Sequence, residues 1–181
     1  MLTIANKLKA LREKSKLSLR DLGEKTGLSA SFLSQLELAQ VSPSLASLEN
    51  IADALNVRIT YFFDDQSRPD SIVMRKDERK RLHGQGSKII IQPLAHQLSK
   101  KKIEPFMLTL EVGGESGEHP YSSHHEEEFG IVLQGKIRFN LEDKEYILAE
   151  GDSVYFNPAK PHKWENMGKK EAIIILVIPG I

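Results

Sequence analysis

Polar side chains on one short segment have the types and spacing that could read base edges in DNA. Ser31 and Gln35 lie four residues apart, so they share one face if the segment is helical. A glutamine can bond bidentately to adenine, and a serine hydroxyl can donate to or accept from several bases. Ser29, Ala30 and Ser34 complete a face of small side chains, which a helix needs to enter a major groove. The segment is therefore a candidate DNA-reading helix.

Positive charge collects around this segment although the chain as a whole is neutral. The 181 residues include 25 Lys/Arg and 25 Asp/Glu. Over residues 1–36 there are seven Lys/Arg and three Asp/Glu, which gives 7 − 3 = +4. Lys14, Lys16 and Arg20 are the best placed of these to contact phosphates. The zero net charge argues against a protein that coats nucleic acid by charge alone.

Two short helices with a sharp turn between them would position the reading face. Ser18 can cap the first helix with Asp21 as its partner, and Gly27 can supply the left-handed turn. The second helix ends near Glu37. This pattern, with its closing letters SQLE, resembles the helix-turn-helix of the phage-repressor-like (XRE) regulators. The resemblance implies a motif from Ser18 to Glu37 and a double-stranded DNA operator as partner.

The chain divides into a helical half and an extended half. Helical periodicity at residues 3–14, 45–55 and 59–63 adds three helices to the pair, giving a five-helix λ-repressor-like domain over residues 1–66. Residues 67–104 are expected to form a linker and the first strands of a barrel. Residues 105–181 show many short strands separated by Gly, Pro and Asn. The predicted fold class is a two-domain α+β protein with an all-β C-terminal half.

Two stretches of the β half resemble the two sequence motifs of the cupin family. They are GEHPYSSHHEEEFGIVLQG at residues 117–135 and GDSVYFNPAKPHKWEN at residues 151–166. The resemblance implies a double-stranded β-helix barrel with a pocket at its mouth. The family's ligand positions fall on His124, Glu128 and His162. Glu128 is expected to point inward, and His162 is expected to come from a later strand on the same barrel wall. The family's first histidine is replaced by Ser122.

Two kinds of pocket remain open on this resemblance. Two imidazoles and one carboxylate suit a divalent metal such as Fe, Mn, Ni or Zn with coordination positions left over. The Ser122 hydroxyl is a poor ligand at neutral pH, so a site with all four family ligands is not expected. His119 and His125 could substitute, but their spacing does not favour either. The alternative is a metal-free pocket that binds an organic ligand directly.

These observations predict a sequence-specific transcriptional regulator, expected to be a repressor, with a cupin domain that senses a small-molecule effector. It should be a homodimer, because one reading helix contacts too few base pairs for specific binding. The alternative is a cupin-type non-haem iron enzyme with a fused helical domain. The absence of cysteine excludes disulfides and thiolate metal sites. The longest apolar run, residues 172–178, is too short for a membrane span, so we expect a cytoplasmic protein without a membrane partner.

Overall fold

Five α-helices precede nine β-strands in the computed structural model of the chain, which describes residues 4–63, 71–83, 88–117, 122 and 127–180. Within these ranges no helix has the length and apolar character needed to cross a membrane. The helices are α1 Ile4–Lys14, α2 Leu19–Thr26, α3 Ala30–Glu37, α4 Leu45–Ala54 and α5 Thr60–Phe63. The expected α+β architecture, with a helical half followed by a β half, is confirmed.

Local capping interactions determine where the helices of the motif begin. The Ser18 hydroxyl accepts a hydrogen bond from the Asp21 backbone N–H at 3.1 Å, and the Asp21 carboxylate accepts from the Ser18 N–H at 2.8 Å. Gly27 follows α2 with φ of 72°, a left-handed conformation that glycine adopts cheaply. The Ser29 hydroxyl accepts from the Phe32 N–H at 3.1 Å and so starts α3. The predicted cap at Ser18 and the predicted turn at Gly27 are confirmed.

The strands form two antiparallel sheets. Six strands lie in the order β1-β2-β3-β9-β4-β7 and three in the order β6-β5-β8. Their bounds are β1 Leu82–His83, β2 Ile89–Pro93, β3 Ile103–Leu110, β4 Glu128–Gln134, β5 Ile137–Leu141, β6 Lys144–Leu148, β7 Ser153–Phe156, β8 His162–Asn166 and β9 Ala172–Pro179.

Alternating side chains from both sheets form the core of the β half. Every second residue of β8 and of β9 is buried, which is the pattern of strands with one face toward the core. Trp164 on β8 is fully buried and packs on Phe139, with ring centroids 4.4 Å apart. A Cβ atom at Gly130 would lie 2.6 Å from the Trp164 indole, so glycine is required where β4 passes over that ring.

Candidate nucleic-acid interface and barrel pocket

The outward face of α3 consists of the polar and small side chains expected from the sequence. Ala30, Ser31 and Gln35 are exposed and Ser34 is half-buried. The opposite face is anchored by Leu33 and Leu36, which are almost fully buried. Ser29 is exposed as well, but its hydroxyl oxygen is already engaged in the helix cap. The structure therefore presents a protruding face with hydrogen-bonding groups on a helix that is fixed from behind.

The candidate phosphate contacts lie at the end of α1, in the turn after it and on α2. Lys14, Lys16 and Arg20 are all exposed. The Arg20 Nε atom lies 3.4 Å from Glu24 Oε1, with 85% and 70% of the two side chains exposed. A pair so open to solvent is weak, so Arg20 can turn toward a phosphate at little cost.

Arg12 and Glu37 form a buried ion pair that sequence reasoning missed. Arg12 Nε donates to Glu37 Oε1 at 2.6 Å and Nη2 donates to Oε2 at 3.0 Å, while Nη1 donates to the Leu17 carbonyl at 2.8 Å. The side chains are only 13% and 7% exposed, and the bond to Glu37 raises the pKa of Arg12. The pair ties α1 to the end of α3, so Arg12 belongs to the scaffold and not to the basic surface counted from the sequence.

Glu128 and His162 lie on facing sheets. Glu128 is on β4 of the six-stranded sheet and His162 is on β8 of the three-stranded sheet, so the prediction that they share one barrel wall is wrong. Strand pairing explains the difference, because β8 pairs with β5 while β4 pairs with β7 and β9. Both side chains are buried. Phe156 pairs with Glu128 across strands β7 and β4, and its ring centroid also lies 5.0 Å from that of His162.

The His162 ring is held in one orientation. Its Nδ1 atom lies 3.0 Å from the Lys160 carbonyl oxygen, and because a carbonyl only accepts, Nδ1 carries the proton. Burial lowers the pKa of His162, with an opposing contribution from that hydrogen bond. The neutral ring therefore keeps its lone pair on Nε2, which is the arrangement found in metal-binding and ligand-binding histidines.

The described residues do not complete a metal centre. His124 lies outside them, as do His119 and His125. Ser122 is exposed and lines a surface depression that also includes Gly27 and residues of α4. In the part of the chain that the structure describes, no group of three His, Asp or Glu side chains could hold a metal ion. Glu128 and His162 supply two donors of the family set.

The helical domain packs directly on the barrel. The Ala46 N–H donates to the Ser116 carbonyl at 3.1 Å. Arg58 forms an ion pair with the fully buried Glu104 and donates to the carbonyl oxygen of Pro179. The Thr60 hydroxyl donates to Glu104 at 3.3 Å. These contacts join the first turn of α4 to the segment that follows β3, and they join the start of α5 with the residue Arg58 before it to strands β3 and β9.

A small cavity lies at this junction, with Glu49 from α4 and Glu128 from β4 in its wall. Glu49 is 5% exposed. Burial raises the pKa of its carboxyl well above the usual range, and nearby Glu128, Asp53 and Glu104 raise it further against the opposing effect of Arg58. Sequence reasoning missed Glu49. The available signal was its position four residues after Leu45, on the face of α4 that is otherwise apolar.

Comparison with known proteins agrees with both halves. A helix-turn-helix family model matches residues 8–62, and a cupin domain family model matches residues 106–178. The chain is 28% identical over 163 residues to the HTH-type transcriptional regulator PuuR of Escherichia coli, covering 88% of this chain and 85% of that protein.

Solved structures show the same arrangement of the fold. An HTH_3 family transcriptional regulator from Vibrio cholerae superposes with a TM-score of 0.70 at 24% identity, covering 98% of this chain and 95% of that one. The hydroxypropylphosphonic acid epoxidase from S. wedmorenis superposes with a TM-score of 0.50 at 22% identity, covering 97% and 96% of the two chains.

The chain is therefore a two-domain protein with an XRE-type helix-turn-helix domain followed by a cupin domain. It is homologous to the HTH-type transcriptional regulators.

Proposed function

We propose that the protein is a transcriptional regulator that binds a specific DNA operator through α3 and senses a small molecule through its cupin domain. The observation that carries this proposal is the exposed face of Ala30, Ser31 and Gln35 on a helix whose other face is buried. The regulator PuuR, with which the chain aligns over both halves, supports the same function. The proposed location of the protein is the cytoplasm, where it would have direct access to the operator.

Gln35 and Ser31 are the proposed base contacts, and Lys14, Lys16 and Arg20 are the proposed phosphate contacts. Ser29, Ala30 and Ser34 would let the helix approach the groove closely. Phosphate contacts contribute affinity on any sequence, whereas base contacts give specificity. The two groups are therefore distinguishable by measuring binding to matched and mismatched duplexes.

The proposed operator-binding form is a homodimer, with the second copy packed on the outer face of the six-stranded sheet. Phe129 is 36% exposed and Leu133 is 47% exposed on β4. Ile131 pairs with Ile175 on β9, which in turn pairs with Met107 on β3, and all three are half-buried. Apolar side chains thus continue across three neighbouring strands. A face of this kind suits a self-complementary interface, and a dimer supplies the second reading helix.

The enzyme alternative rests on similarity of fold. The epoxidase from S. wedmorenis has the same order of halves, but at 22% identity the similarity concerns the fold alone. The proposal is accordingly a regulator without catalytic residues. The effector is proposed to enter the barrel, where Glu128 and His162 are buried on opposite walls.

Selection from a random duplex library with the full-length protein tests the proposal. The selected sequences should share a pseudo-palindrome whose half-sites are about one helical turn apart. A library that shows no enrichment after repeated rounds at physiological salt would contradict the DNA-binding function. Enrichment of a single unpaired half-site would contradict the dimer.

A further inference from the structure

Helix α4 of the DNA-binding domain lies over a small cavity on the inner face of the six-stranded sheet. The junction cavity has Leu45, Glu49 and Ile59 on the helical side, and the barrel side includes Phe106 and Glu128. Its volume is about 10 Å³. A cavity needs roughly 10–15 Å³ to hold one water molecule, so a small organic molecule does not fit while α4 is in place.

Glu49 is an unusual side chain for such a closure. Its carboxyl is buried among apolar residues, and no hydrogen bond or ion pair links it to another residue in the described ranges. Burying a polar group without a partner destabilises a structure, whereas an apolar side chain at the same place would stabilise it. The charged and titratable groups that influence it are Glu128, Glu104, Asp53 and Arg58. The helix is therefore held over the barrel with its least favourable contact at the cavity itself.

The favourable contacts lie around the cavity. They are the Ala46–Ser116 backbone hydrogen bond, the Arg58–Glu104 ion pair and the packing of Phe63 on Phe106, with ring centroids 5.4 Å apart. Since α4 also packs against α2 of the helix-turn-helix, a displacement of α4 would move the DNA-reading unit relative to the barrel.

We propose that α4 is a lid on the cupin pocket and that Glu49 is the group that the effector displaces. This inference rests on the proposed sensor function. The effector would be a small molecule with an apolar body, to match the cavity wall, and with a cationic or hydrogen-bond-donating group, to face Glu128 in place of Glu49. Binding of the effector and docking of α4 then exclude each other, so the effector changes the position of the DNA-reading helices.

A reversible covalent lock tests the lid without DNA and without knowledge of the effector. The chain has no cysteine and one tryptophan, Trp164, which is fully buried inside the barrel. Ala46→Cys combined with Ser116→Cys puts one cysteine on each side of the backbone hydrogen bond from the Ala46 N–H to the Ser116 carbonyl, whose N···O distance is 3.1 Å. The probe is acrylamide, a small neutral quencher of Trp164 fluorescence. We expect the oxidised, locked protein to be quenched severalfold less than the same protein after reduction.

Glu49→Leu provides a second test that leaves Ser116 intact. Leucine fills the mouth with an apolar side chain, so the lid should close more tightly and quenching should fall below that of wild-type protein. Asn50→Leu, on the same helix and half-buried, is the matched control and should leave quenching unchanged.

The outcomes are decisive in both directions. Equal quenching of locked and reduced protein, or equal quenching of Glu49→Leu and wild type, would show that α4 does not control access. Because no measurement uses DNA, failure here would leave the DNA-binding function standing, and loss of DNA binding would leave the lid standing.

Discussion

Removal of the Glu37 carboxylate should destabilise the helical domain far more than removal of a solvent-exposed carboxylate on a neighbouring helix. In the wild-type protein Glu37 accepts two hydrogen bonds from Arg12, at 2.6 Å and 3.0 Å, with both side chains largely buried. Glu37→Ala removes both bonds and leaves the guanidinium with only the exposed Glu13 carboxylate nearby, whose Oε1 atom lies 3.8 Å from Arg12 Nη2. Glu24→Ala is the matched control, because Glu24 is 70% exposed and lies 3.4 Å from Arg20.

The size of the effect follows from the geometry. Two hydrogen bonds between charged groups contribute about 1.5–3 kcal/mol each. Removing one partner of a buried pair typically costs about 3–5 kcal/mol, since the other charge stays buried. The Leu17 carbonyl still accepts from Arg12 and 13% of the arginine side chain is exposed, so we expect a loss near the lower limit, about 3 kcal/mol. For Glu24→Ala the expected loss is below about 1 kcal/mol.

Denaturant unfolding of the full-length protein, followed by far-ultraviolet circular dichroism at the helical signal, measures both losses. A third variant, Glu37→Gln, keeps one acceptor oxygen and removes the charge, so it should fall between the other two. If Glu37→Ala and Glu24→Ala lower the free energy of unfolding equally, the Arg12–Glu37 pair does not stabilise the motif and the assignment of Arg12 to the scaffold is wrong.

Three further predictions concern the DNA contacts, the dimer and the junction. Gln35→Ala should reduce the free energy of DNA binding by roughly 1–3 kcal/mol at one base position only. Lys14→Ala should weaken binding to all duplexes and reduce the slope of log affinity against log salt concentration by about one. Fluorescence anisotropy on matched and mismatched duplexes distinguishes the two effects. Phe129→Lys should dissociate the dimer in sedimentation analysis, while Ile147→Lys, at a 44% exposed position on the other sheet, should not; equal behaviour of the two variants would exclude this face as the interface. The pKa of Glu49 is raised in the folded state, so the folded chain binds the carboxyl proton more tightly than the unfolded chain. The contribution of this proton to the free energy of unfolding is complete below the ordinary pKa of 4.5, and it is lost as the pH rises through the raised pKa. The free energy of unfolding of wild-type protein should therefore fall, relative to that of Glu49→Gln, as the pH rises above 4.5, and parallel pH profiles would refute this.

The helix-turn-helix could be predicted from the sequence because its signals are local. Ser18 and Asp21 are three residues apart, and Gly27 directly follows α2 with a φ of 72°, which glycine adopts cheaply. By contrast, Arg12 and Glu37 are separated by 25 residues, and nothing in the spacing indicates that they pair. The predicted basic surface consequently included one arginine that the fold uses internally.

The barrel strands could also be predicted, but their arrangement could not. Alternation and turn residues mark each strand separately, whereas the assignment of β4 and β8 to different sheets depends on long-range pairing. Glu128 was correctly expected to point inward, and it does so opposite His162 instead of beside it. The sequence marks Glu49 as an acidic residue on the apolar face of α4, but it does not show that Glu49 lines the cavity, because only the docking of α4 on the barrel brings it to Glu128.

The central claim is sequence-specific DNA binding through α3, and one titration tests it most directly. Full-length protein is titrated at physiological salt into a duplex recovered by selection and into a scrambled duplex of the same length and composition. Specific DNA-binding proteins typically bind their site about 10³–10⁷ times more tightly than nonspecific DNA, and we expect a ratio of at least about 10³. Equal dissociation constants for the two duplexes would contradict the claim.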